Sequence, residues 1–144
     1  MRESKVNEAV ECFDGGFNCA QAVFSTYCSE LGLDKTMALK IAGGLGGGFG
    51  CLQETCGAVT GAILLIGLKY GKYEKGDKLS KEKTYTLVRE FVSEFKKRNG
   101  TINCRELLQA DLLNDDKRVL SEKVDKICPG MVKDASEIIE EILL

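Results

Sequence analysis

The chain contains no histidine, no tryptophan and a single proline, Pro129. The first absence excludes the most. Without His there can be no Ser-His-Asp or Cys-His nucleophile pair and no His-ligated zinc. His-ligated haem goes with them, including attachment through Cys-x-x-Cys-His, so no haem is expected. The lack of Trp and the near-lack of Pro suit a compact helical protein but say nothing of chemistry. An excess of positive charge is also missing, since the formal net charge is −2. That leaves no basic footprint for nucleic acid and no polybasic signal for a membrane surface. The longest apolar stretch starts near Cys56 and stops at Lys69. It falls short of the roughly 20 residues that span a bilayer, so no membrane insertion is expected. The first residues, Met-Arg-Glu-Ser-Lys-Val-Asn-Glu, are charged from the second position. They lack the apolar core of a signal peptide, and a cytoplasmic location is expected.

What the chain does have is glycine and cysteine, concentrated in Ala42–Gly71. Gly43, Gly44, Gly46, Gly47, Gly48 and Gly50 come first; Cys51 and Cys56 follow around Glu54; an apolar run to Leu68 closes the stretch. Glycine permits close backbone approach or positive φ and costs stability inside a helix or strand. So dense a run, leading to a thiol at the mouth of an apolar segment, points to a site. At 144 residues a single domain with a proper core is expected. The seven cysteines (Cys12, Cys19, Cys28, Cys51, Cys56, Cys104, Cys128) are odd in number. In a reducing compartment that argues against a full disulfide framework and toward metal binding or redox work by a subset.

Periodicity and caps give the elements. Val6, Ala9, Val10 and Phe13 place a helix over Ser4–Phe13, broken by Asp14-Gly15-Gly16. Asn18 caps a second helix from Cys19 to about Leu31, ended by Gly32, and Asp34 caps a third. The fourth, about 56–70, is apolar nearly all round and should be the buried centre. Gly71–Lys83, with its five lysines, reads as a solvated loop before a long helix to about Lys97. Asn103 caps a short helix through Ala110, and Asn114 or Asp115 starts another. Cys128-Pro129-Gly130 opens a terminal helix, Met131–Leu143, because proline is favoured in a first helical turn. No strand pattern, repeat or linker stands out. The expected fold is all-α, a single-domain bundle of seven or eight helices around the fourth.

On this reading Cys19, Cys56, Cys104 and Cys128 all sit at helix N-termini. Unpaired N–H groups and the helix dipole favour an anion there, so depressed thiol pKa values are expected. A thiolate is both the nucleophile and the metal ligand. Cys12 and Cys28 fall inside helices and read as small apolar residues. Cys51 and Cys56 have the spacing that opens a plant-type iron–sulfur motif, without its next Cys-x-x-Cys step. The close Cys pairs of structural zinc are absent too. The four thiols stand 37, 48 and 24 positions apart, so any shared site must be assembled by tertiary structure. No nucleotide motif is complete: the third glycine of a dinucleotide fingerprint falls on Phe49 or Cys51, and no Lys-Ser/Thr pair follows. The glycines could serve close helix packing or a ligand. Glu54 could move a proton for Cys56 or be a surface charge; Arg105 could act on Cys104 or face water.

At Asn18-Cys19, at Glu54-Thr55-Cys56-Gly57-Ala58-Val59-Thr60-Gly61, at Cys104 and at Cys128, the chain resembles a family of redox-active proteins. These carry a Cys…Cys-Gly-Ala-x-x-Gly…Cys…Cys pattern and are labelled C_GCAxxG_C_C. The likeness covers nearly the whole chain. It implies four functional cysteines, Cys19, Cys56, Cys104 and Cys128, and a redox role, without a substrate. Gly57, Gly61, Glu54 and Cys51 would shape the site around Cys56, with Cys51 left open as a local disulfide partner.

The leading expectation is a cytoplasmic redox protein, a thiol- or cluster-based oxidoreductase or electron carrier. Its four thiols would converge to hold an iron–sulfur cluster or to cycle between dithiol and disulfide. One alternative is a thiolate module for zinc or another soft metal, without electron transfer. The other is a structural or interaction bundle whose cysteines are only core. A redox partner is expected but unspecified, and a homo-oligomer is left open.

Overall fold

The computed structural model describes residues 2–144. It is all-α, as expected. In chain order the helices are α1 (Val6–Asp14), α2 (Cys19–Tyr27), α3 (Lys35–Ile41), α4 (Gly57–Tyr70), α5 (Lys78–Asn99), α6 (Cys104–Leu108) and α7 (Lys117–Ile142). A 3-10 turn, Cys28–Leu31, prolongs α2 and ends at Gly32 in the left-handed conformation. Among the described residues there is no strand, only an isolated antiparallel bridge between Thr55 and Asn103.

Helix α4 is the central element. Its apolar composition lets it bury Gly57, Ala58, Val59, Gly61, Ala62, Leu65 and Ile66, and it packs against α2, α5 and α7. The contact with α2 is the most extensive between the helices and has a steric basis. A Cβ placed on Gly61 would lie 2.8 Å from the Ala20 carbonyl oxygen. Only a hydrogen fits there, so the two backbones touch. Val23, Tyr27, Phe91, Phe95, Val132, Ile138 and Ile139 complete the main core. A second, smaller apolar cluster gathers Cys104, Leu108 and Ala110, with Leu112, Leu120, Val124 and Ile127 packed on it from α7 and its approach.

Three helix starts follow the sequence closely. The side chains of Asn18, Asp34 and Asn103 accept from the backbone N–H groups of Gln21, Met37 and Glu106. Asn18 and Gln21 close a reciprocal capping box. Two expectations fail. The polar segment Gly71–Lys83 is not loop throughout, because the Asp77 side chain accepts from Ser80 and starts α5 at Lys78. More important, Pro129 does not open a helix. It lies inside α7, which begins at Lys117 under an Asp116 cap and absorbs the short helix expected at Asn114 or Asp115. The reason is the packed face. Leu120, Val124, Ile127, Cys128, Met131, Val132 and Ala135 recur at helical spacing and pack on the two clusters. Tertiary packing of one continuous stripe outweighs the backbone donor that Pro129 lacks.

Candidate thiol site

The seam between the two apolar clusters holds a cavity of about 220 Å³. Cys19, Cys56, Cys104 and Cys128 all line it, together with Cys51. Four separated segments meet there. Cys19 is the first residue of α2, Cys56 is the N-cap of α4, and Cys104 is the first residue of α6. Cys128 comes from the interior of α7, which corrects its expected place at a helix N-terminus. Leu107, Leu108, Val124, Ile127 and Met131 supply the apolar wall. All seven cysteines are free thiols. Cys12 and Cys28 lie away from the cavity, near Ser25: the Cys28 thiol donates to the Ser25 carbonyl, and Cys12 contacts the Ser25 hydroxyl. Neither lines the cavity; Cys12 lies inside α1, while Cys28 opens the 3-10 turn after α2 instead of lying inside the helix, and is buried.

Backbone pairing aligns two of the thiols. The Cys56 N–H donates to the Ile102 carbonyl and the Cys104 N–H to the Glu54 carbonyl, each at 2.7 Å. Glu54 thus contributes its carbonyl to the site; its side chain is exposed and does not line the cavity. Arg105 is half exposed and lies 3.9 Å from Asp111. Its charge favours the Cys104 thiolate only as the weakest of several influences.

The glycines provide close backbone approach in one place and positive φ in another. Gly57 and Gly61 bring α4 onto α2: a Cβ on Gly57 would meet the Ala20 nitrogen at 3.1 Å and the Cys19 Cβ at 3.2 Å. The glycines ahead of them form a left-handed coil beside the thiols. Gly47, Gly48, Phe49, Gly50, Cys51 and Gln53 have φ between +56° and +68°. Such a conformation is strained for Phe49, Cys51 and Gln53, and strain of this kind concentrates at functional sites. Asn18 anchors the coil. Its side-chain amide donates to the Gly43 carbonyl at 3.2 Å, and Gly46 rests on its Cβ.

Gln53 is a site residue that the sequence did not single out. It is buried to 2% exposure. Its amide donates to the Ala110 carbonyl at 2.8 Å and accepts from the Leu112 N–H at 2.9 Å. It also favours the Cys104 thiolate by hydrogen bonding. One side chain therefore ties the coil to the segment that follows α6. The only available signal was a lone amide inside a glycine-dense loop.

The thiol acidities invert the expectation. Burial pushes Cys56 up to about 12, although the Ala58 and Val59 N–H groups at the start of α4 pull the other way. Burial, then the neighbouring Cys128, push Cys104 up to about 11. Desolvation outweighs the helix terminus at both. Cys19 and Cys128 behave as a pair. As Cys128 ionises, the Cys19 S–H donates to it, which holds Cys128 below the ordinary thiol value and raises Cys19 well above it. The one depressed thiol is thus the one that does not stand at a helix N-terminus.

The family described as "Putative redox-active protein (C_GCAxxG_C_C)" matches residues 17–142. The chain belongs to this family. No curated protein and no solved structure matches the chain significantly. Among the described residues, no helix is long and apolar enough to cross a membrane. Nor do any three His, Cys, Asp or Glu side chains among them draw together closely enough to hold one metal ion.

Proposed function

We propose that this member of the C_GCAxxG_C_C family is a thiol redox protein whose working pair is Cys19 and Cys128. The observation that carries the reading is that Cys19 from α2 and Cys128 from α7 face the same apolar cavity as free thiols, and there each shifts the other's acidity in the opposite direction. One holds the shared proton and the other is the readier thiolate. A dithiol centre needs that division: the thiolate is the attacking nucleophile and its partner resolves the bond. In oxidation, Cys128 and Cys19 lose two protons and two electrons to an external acceptor and gain one S–S bond. The apolar wall keeps water away, and Cys56, held protonated by burial, stays out of the exchange.

A second reading has its own support, since four thiols from four segments face one cavity. Thiolates are the donors that iron–sulfur clusters and soft metals select. No three of these side chains form a single-ion group, and four cysteine thiolates are the donor count of a typical iron–sulfur cluster. Cys19, Cys56, Cys104 and Cys128 would hold it, and it would supply one-electron chemistry.

Anaerobic purification followed by iron, zinc and sulfide analysis separates the two readings. A colourless protein in which diamide links Cys19 to Cys128, mapped by peptide mass spectrometry, supports the dithiol. Loss of that link in Cys128→Ser but not in Cys28→Ser is expected. Stoichiometric iron and sulfide bound through all four thiols would instead establish the cluster.

A further inference from the structure

Cys51 lies outside the four-cysteine pattern, yet it lines the same cavity. It is the one exposed thiol of the seven; Cys19, Cys28, Cys56 and Cys104 are buried, and Cys12 and Cys128 are partly so. The fold positions it with effort. Its φ of +67° is strained for a cysteine, and its sulfur sits 2.9 Å from where a Cβ on Gly47 would be, so only glycine there leaves it room. The exposed apolar side chains of Phe49 and Leu52 flank it.

Cys19 is buried and Cys128 only partly exposed, which restricts access to the pair. Thiol–disulfide exchange requires the attacking sulfur to reach the far partner's S–S bond directly. A disulfide carried by a peptide or protein cannot enter a cavity of about 220 Å³ walled by leucine, valine and methionine. Cys51 both lines that cavity and reaches solvent.

We infer that Cys51 is the entry thiol of the site, taking an external disulfide as substrate and passing the oxidation inward through Cys104. This rests on the dithiol reading of Cys19 and Cys128. In the first step the Cys51 thiolate attacks R–S–S–R′, forming Cys51–S–S–R and releasing R′–S⁻. In the second, Cys104, after losing its proton, attacks the Cys51 sulfur and expels R–S⁻, leaving a Cys51–Cys104 disulfide. Exchange with Cys128 and then Cys19 moves the S–S bond to the buried pair and returns Cys51 and Cys104 to thiols. Overall two protein thiols are oxidised and one external disulfide is reduced to two thiols.

The test uses the reduced full chain with three oxidants: glutathione disulfide, oxidised thioredoxin and the small diffusible reagent diamide. Cys104→Ser should accumulate a mixed disulfide mapped to Cys51 with either disulfide donor, and the faster donor identifies the source of the substrate. Cys51→Gly relieves the left-handed strain while removing the thiol, so it should fold. It should slow formation of the Cys19–Cys128 link at least tenfold with both disulfide donors and leave the diamide rate unchanged. Wild-type rates in Cys51→Gly with glutathione disulfide and thioredoxin, or an adduct mapped to Cys128 instead, would overturn the entry role. Failure of diamide to link Cys19 and Cys128 in the unaltered chain would overturn the dithiol reading itself.

Discussion

Thr55 lies opposite Asn103 in an isolated antiparallel bridge, and the next residue on each side, Cys56 and Cys104, begins a helix at the thiol cavity. Two thiols 48 positions apart are thereby set by a pair of backbone hydrogen bonds. The bridge persists because Asn103 also accepts from Glu106 and fixes the start of α6.

Asn103→Ala should therefore act on stability and on the site together. Loss of the cap costs about 1 kcal/mol, readable as a lower urea midpoint at unchanged m-value. Freed from its anchor, α6 would expose Cys104, whose alkylation by iodoacetamide should quicken. An unchanged alkylation rate would show that the bridge alone holds Cys104.

The two glycines of α4 that differ most in surroundings should respond oppositely to alanine. At Gly61 the added carbon would press on the Ala20 carbonyl, which belongs to backbone and cannot swing away. Separating α4 from α2 should cost about 1–3 kcal/mol and shift the thiol spacing. Gly67 faces open space on the same helix. Gly67→Ala should be neutral or stabilising by up to about 1 kcal/mol. Thermal unfolding of both variants checks the contrast.

Alkaline pH should weaken the reduced protein through its buried thiols. Cys56 and Cys104 titrate near 12 and 11 when folded, against an ordinary value of 9.0. Between those values the unfolded chain has released protons that the folded chain retains, so stability falls as pH rises from about 9 to 12. Below 9 the contribution is fully present. Each thiol can contribute a slope of up to about 1.4 kcal/mol per pH unit in this window. Cys56→Ala should flatten the decline, whatever it does to stability at neutral pH; chemical denaturation across pH 8–11 in the presence of reductant measures it.

Much of the architecture was legible in the sequence because it is locally encoded. Asn18, Asp34 and Asn103 cap the helices that their positions announced, and the all-round apolarity of α4 marked it as central. The failures share a cause. Pro129 signals a helix start in isolation, but the stripe on α7 becomes decisive only once two clusters lie against it. The thiol acidities went wrong in the same way. A helix N-terminus is a local property, while the burial that overrides it depends on which segments converge. Cys128 gained its low pKa from Cys19, a residue of another helix. Nothing in a row of glycines foretells a left-handed coil, nor that Gln53 would tie it to Ala110 and Leu112.

Cys19 opens α2 and Cys128 lies within α7, near the two ends of the chain. Joining their sulfurs would turn most of the polypeptide into a closed ring of about 110 residues, a constraint worth up to roughly 4–5 kcal/mol against unfolding in the chain-entropy picture. The same two-electron event would then set both the chemical state of the cavity and the lifetime of the molecule. On the dithiol reading the reduced form would be the more easily unfolded and degraded, and the redox poise of its surroundings would govern how much of this protein persists.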